Sequence, residues 1–292
     1  MYAWLIVEER EPEVVFDNGS STFRGYRPRA PLCRAVELIW TTAGNVGTAV
    51  ERVLPNGVVE LIFNLGAPQR VVHAANRFTR YRAAWVAGIQ SQPLDIASEF
   101  DSQLVGVRFR PGGASPLLGL PAASLAGSVV ELADLSIPWA EELRERLLST
   151  RTAAERADLT EGTLTRRLLG SRPLESRVTT ALRTMERLPA GLSVAALAAE
   201  LGVSHKHLIA LFKREVGVAP KTLQRVLRFQ RVLLALRASA SPRFTEIAHA
   251  CGYADQAHLN HDFRQLAGVT PSDYLQQRLV DPNHLNVEPR PR

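Results

Sequence analysis

The chain has 292 residues, 46% hydrophobic and 22% charged, with a formal net charge of +6. No apolar run reaches the ~20 residues that cross a bilayer as a helix, and two cysteines, Cys33 and Cys251, are too few for a disulfide scaffold. The charge is uneven: residues 171–292 carry 17 Lys+Arg against 10 Asp+Glu, residues 1–170 carry 18 against 19. A basic C-terminal part beside a nearly neutral N-terminal part predicts a polyanion-binding module attached to something else.

The chain opens MYAWLIVEEREPE, seven mostly apolar residues that turn acidic. A secretory signal needs a basic start and a longer apolar run, so this stretch predicts a buried strand and a cytoplasmic protein. Residues 1–110 read as β-rich. In GVVELIFNLG (57–66), Val59, Leu61, Phe63 and Leu65 alternate with Glu60, Ile62 and Asn64. Further strands are predicted at 35–42, 69–74, 83–89, 94–99 and 103–110, a spacing that fits a small barrel or sandwich. Trp40, Trp85, Glu60 and Arg108 either line a ligand pocket there or serve packing and surface charge. RPGGASPLLGLP (110–121) breaks the β pattern, and the chain then reads helical to Ser171, notably over 137–149 and 163–171.

The C-terminal part contains a repeat. LAAELGVSHKHLIALFKREVGVAP (197–220) lies beside IAHACGYADQAHLNHDFRQLAGVTP (247–271). Gly202 matches Gly252 at an offset of 50; Phe212, Gly217, Val218 and Pro220 match Phe263, Gly268, Val269 and Pro271 at an offset of 51. Each copy reads as helix, tight turn, helix. In the first, Ser193 caps the entering helix, Gly202 ends it, and Ser204 caps the next, whose Leu208, Leu211 and Phe212 face inward. In the second, Thr245 is the predicted first cap, Gly252 turns the chain, Asp255 caps, and Leu259, Phe263 and Leu266 face the core. Between them, PKTLQRVLRFQRVLLALRAS predicts one helix with Leu223, Val226, Leu227, Gln230, Leu233 and Leu234 along one side. Its length of ~27 Å allows the two second helices to lie about one DNA turn apart. The tail DPNHLNVEPRPR (281–292) reads as loose.

Residues ~174–277 resemble the AraC/XylS-type transcriptional regulators, through the paired glycine turns, RFQR at 228–231 and FRQLAGVTPSDYL at 263–275. RVLPNGVVELIFNLG, VGVRFRPGGASPLLGLP and VVELADL resemble the sensor-type N-terminal region of one group of these regulators, which implies a cupin-like barrel. A metal-dependent cupin enzyme needs several converging histidines, and this half has only His73. The resemblance implies a DNA-binding regulator, not an enzyme. It implies double-stranded DNA and RNA polymerase as partners, a small-molecule effector in the N-terminal domain, and a homodimer. No cofactor and no membrane partner are expected.

The residues expected to meet DNA are His205, Lys206, Ile209, Ala210 and Lys213 in the first module, and Gln256, Ala257, His258, Asn260, His261 and Arg264 in the second. Gln and Asn pair with adenine, histidine reaches a base edge, and Ile209 and Ala210 touch thymine methyls. Lys213, Arg214, Arg264 and Arg243 are candidate phosphate anchors. Many relatives carry arginine where this chain has His261. A competing reading puts a metal on His258 and His261, spaced i, i+3, with His249 and Cys251 nearby, although no clear fourth ligand is visible. The rival from another class is a small-molecule-processing or metal-dependent enzyme with an accessory nucleic-acid module. The expected architecture is multidomain, α and β. It comprises a β-rich, ligand-sensing domain (1–112), a helical connector or dimerisation region (113–170), an all-α double helix-turn-helix domain (171–280) and a flexible tail (281–292).

Overall fold

A strand with four consecutive buried residues, 61–64, organises the N-terminal half. The computed structural model describes residues 10–287 other than 18, 20, 45–49, 74–76, 99–100, 188–192, 240, 280 and 282; the strand expected at the extreme N-terminus lies outside the described residues. In chain order the elements begin with strands β1 (Val14–Asp17), β2 (Ser21–Tyr26), β3 (Val36–Gly44), β4 (Val50–Val53), β5 (Glu60–Asn64), β6 (Gln69–Val72), β7 (Phe78–Tyr81), β8 (Ala84–Ala87), β9 (Leu94–Ser98) and β10 (Ser102–Phe109). Next come α1 (Ala114–Leu118), β11 (Val129–Glu131), α2 (Leu132–Leu135), α3 (Pro138–Leu148), α4 (Ala153–Leu169) and α5 (Ser176–Arg187). The C-terminal part holds α6 (Val194–Glu200), α7 (His205–Glu215), α8 (Pro220–Ala238), α9 (Phe244–Ala250), α10 (Gln256–Ala267), α11 (Pro271–Gln277) and β12 (His284–Val287).

The strands form two antiparallel sheets, β1-β2-β3-β10-β5-β8-β11 and β12-β4-β9-β6-β7. The seven-stranded sheet is buried on both faces. On one, Val59, Leu61, Phe63, Val86, Val105 and Val107 join helical residues in a core cluster. On the other, Ile62, Trp40 and Trp85 meet Val71 and Tyr81 of the second sheet. Helices, large sheet and small sheet therefore make three layers. Trp40 pairs across the ladder with Gly106, where a Cβ would lie 2.0 Å from the Trp40 Cε2, so only glycine admits the indole. Glu60 faces Arg108 across β5 and β10 and accepts its Nε–H at 2.8 Å. The four side chains considered for a pocket are thus engaged in packing and ion pairing.

Strands β1, β2, β4 and β7 lie outside the expected ones, and two further regions differ from the expectation. The segment 113–170, read as helical, supplies β11, which completes the large sheet beside β8; three residues are too few to show a periodicity. The tail read as loose supplies β12, which pairs with β4 from His284↔Val53 to Val287↔Val50. Its Leu285 is fully buried, and the Leu54 N–H donates to the Asn283 carbonyl at 2.7 Å. A polar, proline-rich composition signals looseness, but one apolar side chain with a docking groove reverses it.

The halves also share core. One cluster runs from Tyr26 and Phe63 through α4 and α5 to Leu197, Phe212 and Leu223. A second gathers α8 to α11 around Phe229, Leu233, Leu259, Phe263 and Tyr274, and includes Leu54 and Leu285 from the small sheet's edge. Gln230, expected on the apolar side of α8, donates to the Pro55 carbonyl and to Asn283 Oδ1, both at 2.7 Å. Leu234, placed on the same side, is 61% exposed; Phe229, Val232 and Leu236 are buried instead.

Candidate nucleic-acid interface

Both repeats fold through the same local bonds. Ser193 accepts from the Ala196 N–H and Ser204 from the His207 N–H, each at 3.1 Å, which starts α6 and α7. At the first turn Gly202 takes φ +64°, its N–H donates to the Ala199 carbonyl, and the Val203 N–H reaches back to Ala198 at 3.0 Å. At the second, Gly252 takes φ +81°, donates to His249, and the Tyr253 N–H reaches Ala248 at 2.8 Å. These reach-back bonds satisfy carbonyls that a helix end leaves open. The axes of α6 and α7 differ by 95°, within the range of a helix-turn-helix. Asp255 starts α10 by accepting the His258 N–H at 2.7 Å.

The first cap of the second module differs from the expectation. Arg243 rather than Thr245 is the N-cap residue of α9, and Thr245 lies inside the helix, where its hydroxyl donates to Gln256 Oε1 at 2.9 Å. Serine or threonine near a helix start does not fix the starting residue when a tertiary partner competes for the hydroxyl. Arg243 also pairs with Glu246 at 2.8 Å.

Of the residues expected to meet DNA, His205, Lys206, Ala210 and Lys213 are exposed on α7, and Ala257, His258, His261 and Arg264 on α10; Ile209, Gln256 and Asn260 are half-buried. None is a core residue. Several have local partners: the His258 ring stands edge-on to Tyr253 at 5.2 Å, and His261 Nε2 lies 2.9 Å from Gln265 Nε2. Gln256 spends one acceptor on Thr245, which leaves its amide N–H groups to present. Arg214 is paired with Glu215. Among the described residues no group of three or more His, Cys, Asp or Glu side chains is placed to hold a metal ion.

What orients α10 was not legible in the sequence. Asp262, 5% exposed on the opposite side of the helix, accepts from Tyr253 Oη at 2.9 Å and from Arg225 Nε, with Arg228 Nη2 at 3.6 Å. Arg228 also lies over the Tyr253 ring at 4.3 Å. Burial, and then the carboxylate beside it, hold the Tyr253 hydroxyl protonated far above its ordinary range. The network clamps α10 to α8. Its only sequence signal is an acidic residue at an inward position of an amphipathic helix.

Paired helix-turn-helix modules on a single connecting helix, packed beside a two-sheet β unit, define the architecture of this chain. Residues 197–277 match the model of a helix-turn-helix domain, and residues 24–131 that of a domain of unknown function, DUF6597. A protein named as an AraC-like transcription regulator in Streptomyces antibioticus is 35% identical over 98 residues, which are 33% of this chain and 32% of the relative. A like-named protein of Streptomyces lividans is 37% identical over 100 residues, 33% of this chain and 32% of that one. The chain thus spans about a third of the length of the curated relatives it matches. Among solved structures, ToxT from Vibrio cholerae aligns with 82% of this chain and 98% of its own, at 10% identity and a TM-score of 0.47. Residues 197–277 are thus a helix-turn-helix domain similar to the matched part of these AraC-like regulators.

Proposed function

We propose that the chain is a sequence-specific DNA-binding transcriptional regulator rather than an enzyme, with α7 and α10 as its two reading helices. The observation that carries this is the duplication itself: two turns with the same bonds, each followed by a helix that buries one face, through Leu208 and Leu211 or Leu259 and Phe263, and exposes the other. Asn260 supplies an amide pair that matches adenine, Gln256 presents its amide N–H groups, His258 and His261 reach base edges, and Ile209 and Ala210 offer apolar contact to thymine methyls. Lys206, Lys213 and Arg264 neutralise phosphates. RNA polymerase, a second copy of the chain and a small-molecule effector held by the N-terminal part complete the scheme, and the protein acts in the cytoplasm. The sequence-based division is retained for function, with 1–112 as sensor, 113–170 as connector and 171–280 as reader; β11 and β12 are assigned to the sensor's sheets.

Selection of bound duplexes from a random pool by the full chain tests this. The expected result is an enriched motif with two half-sites about one helical turn apart, and an affinity that falls steeply with salt, by roughly 0.9 log units per log unit of salt for each phosphate neutralised. No enrichment at low ionic strength would overturn it.

A further inference from the structure

A cleft of about 800 Å³ opens where α3, α4 and the loop before α5 meet the end of α7. This is the size range of small-molecule sites. Arg146, Arg166, Arg167, Arg172 and Arg214 line it, against Glu142 and Glu215. Glu215 is already committed, since it accepts from Arg214 and, at 2.8 Å, from the Glu175 N–H. Among the described residues, the Arg166 side chain reaches only the Thr163 hydroxyl, at 3.3 Å, and Arg167 lies over the Trp139 ring at 5.0 Å. The side chains of Arg146 and Arg172 make no hydrogen bond or ion pair among the described residues. The floor is apolar, with Leu120, Leu143 and Leu174 beside Trp139, whose buried Nε1–H has no acceptor.

We propose that this cleft binds a small organic phosphate, its phosphoryl group held by the arginines of α3, α4 and the α4–α5 loop and its apolar body on Trp139 and the leucines. Two features select that class. A single carboxylate is satisfied by one guanidinium fork, whereas several forks without acceptors suit a dianion with three terminal oxygens. A purely inorganic anion gains nothing from an apolar floor, and the backbone of a duplex, the surface of a wide cylinder, does not enter a cleft of this size. Because Arg214 and Glu215 of α7 line the same cleft as Arg146, Arg166 and Arg167 of the connector, a ligand in the cleft lies between the first reading helix and the connector. That consequence rests on the DNA-binding reading; occupancy of the cleft does not.

The test is calorimetric titration of the full chain, without DNA, with phenyl phosphate, inorganic phosphate and benzoate. The second protein is the Arg146→Gln/Arg172→Gln variant, whose two positions are exposed and unpartnered, so that its circular dichroism stays that of the parent. Expected are saturable binding of phenyl phosphate, binding of inorganic phosphate and benzoate at least about tenfold weaker, and a loss of about tenfold or more for each guanidinium removed. No saturable phenyl phosphate binding overturns the proposal. So does equal binding by the variant, or equal binding of benzoate. If the variant loses DNA affinity in the absence of any phosphate ligand, the arginines contact the duplex and the ligand site is refuted. Failure of duplex selection with phenyl phosphate binding intact would instead refute the DNA reading alone.

Discussion

Asp262→Ala probes the clamp beneath the second reading helix. Asp262 is 5% exposed, accepts from two donors and pairs with Arg228 at 3.6 Å, so its removal strands the three unequally. The Tyr253 hydroxyl, on a residue 4% exposed, loses its acceptor in a dry site, at about 1–3 kcal/mol. Arg225 and Arg228 keep 32% and 25% of their side chains exposed, so both recover water, and Arg225 retains its bond to Gln265. The penalty of about 3–5 kcal/mol for breaking a fully buried pair is therefore discounted. The expected total is roughly 2–4 kcal/mol. Urea unfolding followed at the helical circular-dichroism band reports it, while fluorescence reports the other half, because the tryptophans lie at 4, 40, 85 and 139. Tyr253→Phe alone should cost about 1 kcal/mol, and adding it to Asp262→Ala should cost less than the sum, since no hydroxyl is then left unpaired. DNA affinity should fall evenly over sequences. A loss below about 1 kcal/mol for Asp262→Ala, or strict additivity, would refute the clamp.

Asn260→Ala should cost about 1–3 kcal/mol at one base pair and little elsewhere, read by comparing single-site operator variants; a uniform loss would mark Asn260 as structural. Gly106→Ala sets a Cβ against the Trp40 ring and should cost at or above the upper end of about 1–3 kcal/mol, with a shifted tryptophan emission. Leu285→Ala removes a fully buried side chain between the small sheet and α8 and should destabilise by about 2–5 kcal/mol in urea unfolding; an unchanged midpoint would mean that β12 does not hold the halves together. Burial alone would lower the His284 pKa, but its hydrogen bond to Glu51 at 2.9 Å and the charges of Asp281, Glu51 and Glu60 outweigh that and raise it. A raised folded pKa gives stability that is full below about 6.5 and is lost as pH rises through the folded value. Unfolding midpoints measured from pH 6 upward should fall, and His284→Gln should flatten that slope.

The local parts of this protein were written in the sequence. Ser193, Ser204 and Asp255 cap as read, because a cap needs only a side-chain oxygen two or three residues from an open N–H. Gly202, Gly252 and Gly268 turn as read, because a left-handed residue is a property of one position. β5 also reads as a strand, although its burial does not alternate, because it lies between two cores. Sequence left open whatever depends on partners far along the chain. β1, β4 and β7 are four-residue strands with half-exposed or exposed sides, so their pairing comes from neighbours rather than periodicity. β12 exists because β4 offers an unpaired edge more than 200 residues earlier. Asp262 became a clamp only when α8 brought two arginines across it, and the arginine cleft arose from four segments, none of them a motif. Caps and turns answer to backbone geometry within a few residues; strand edges, buried charges and clefts answer to the packing of the whole chain.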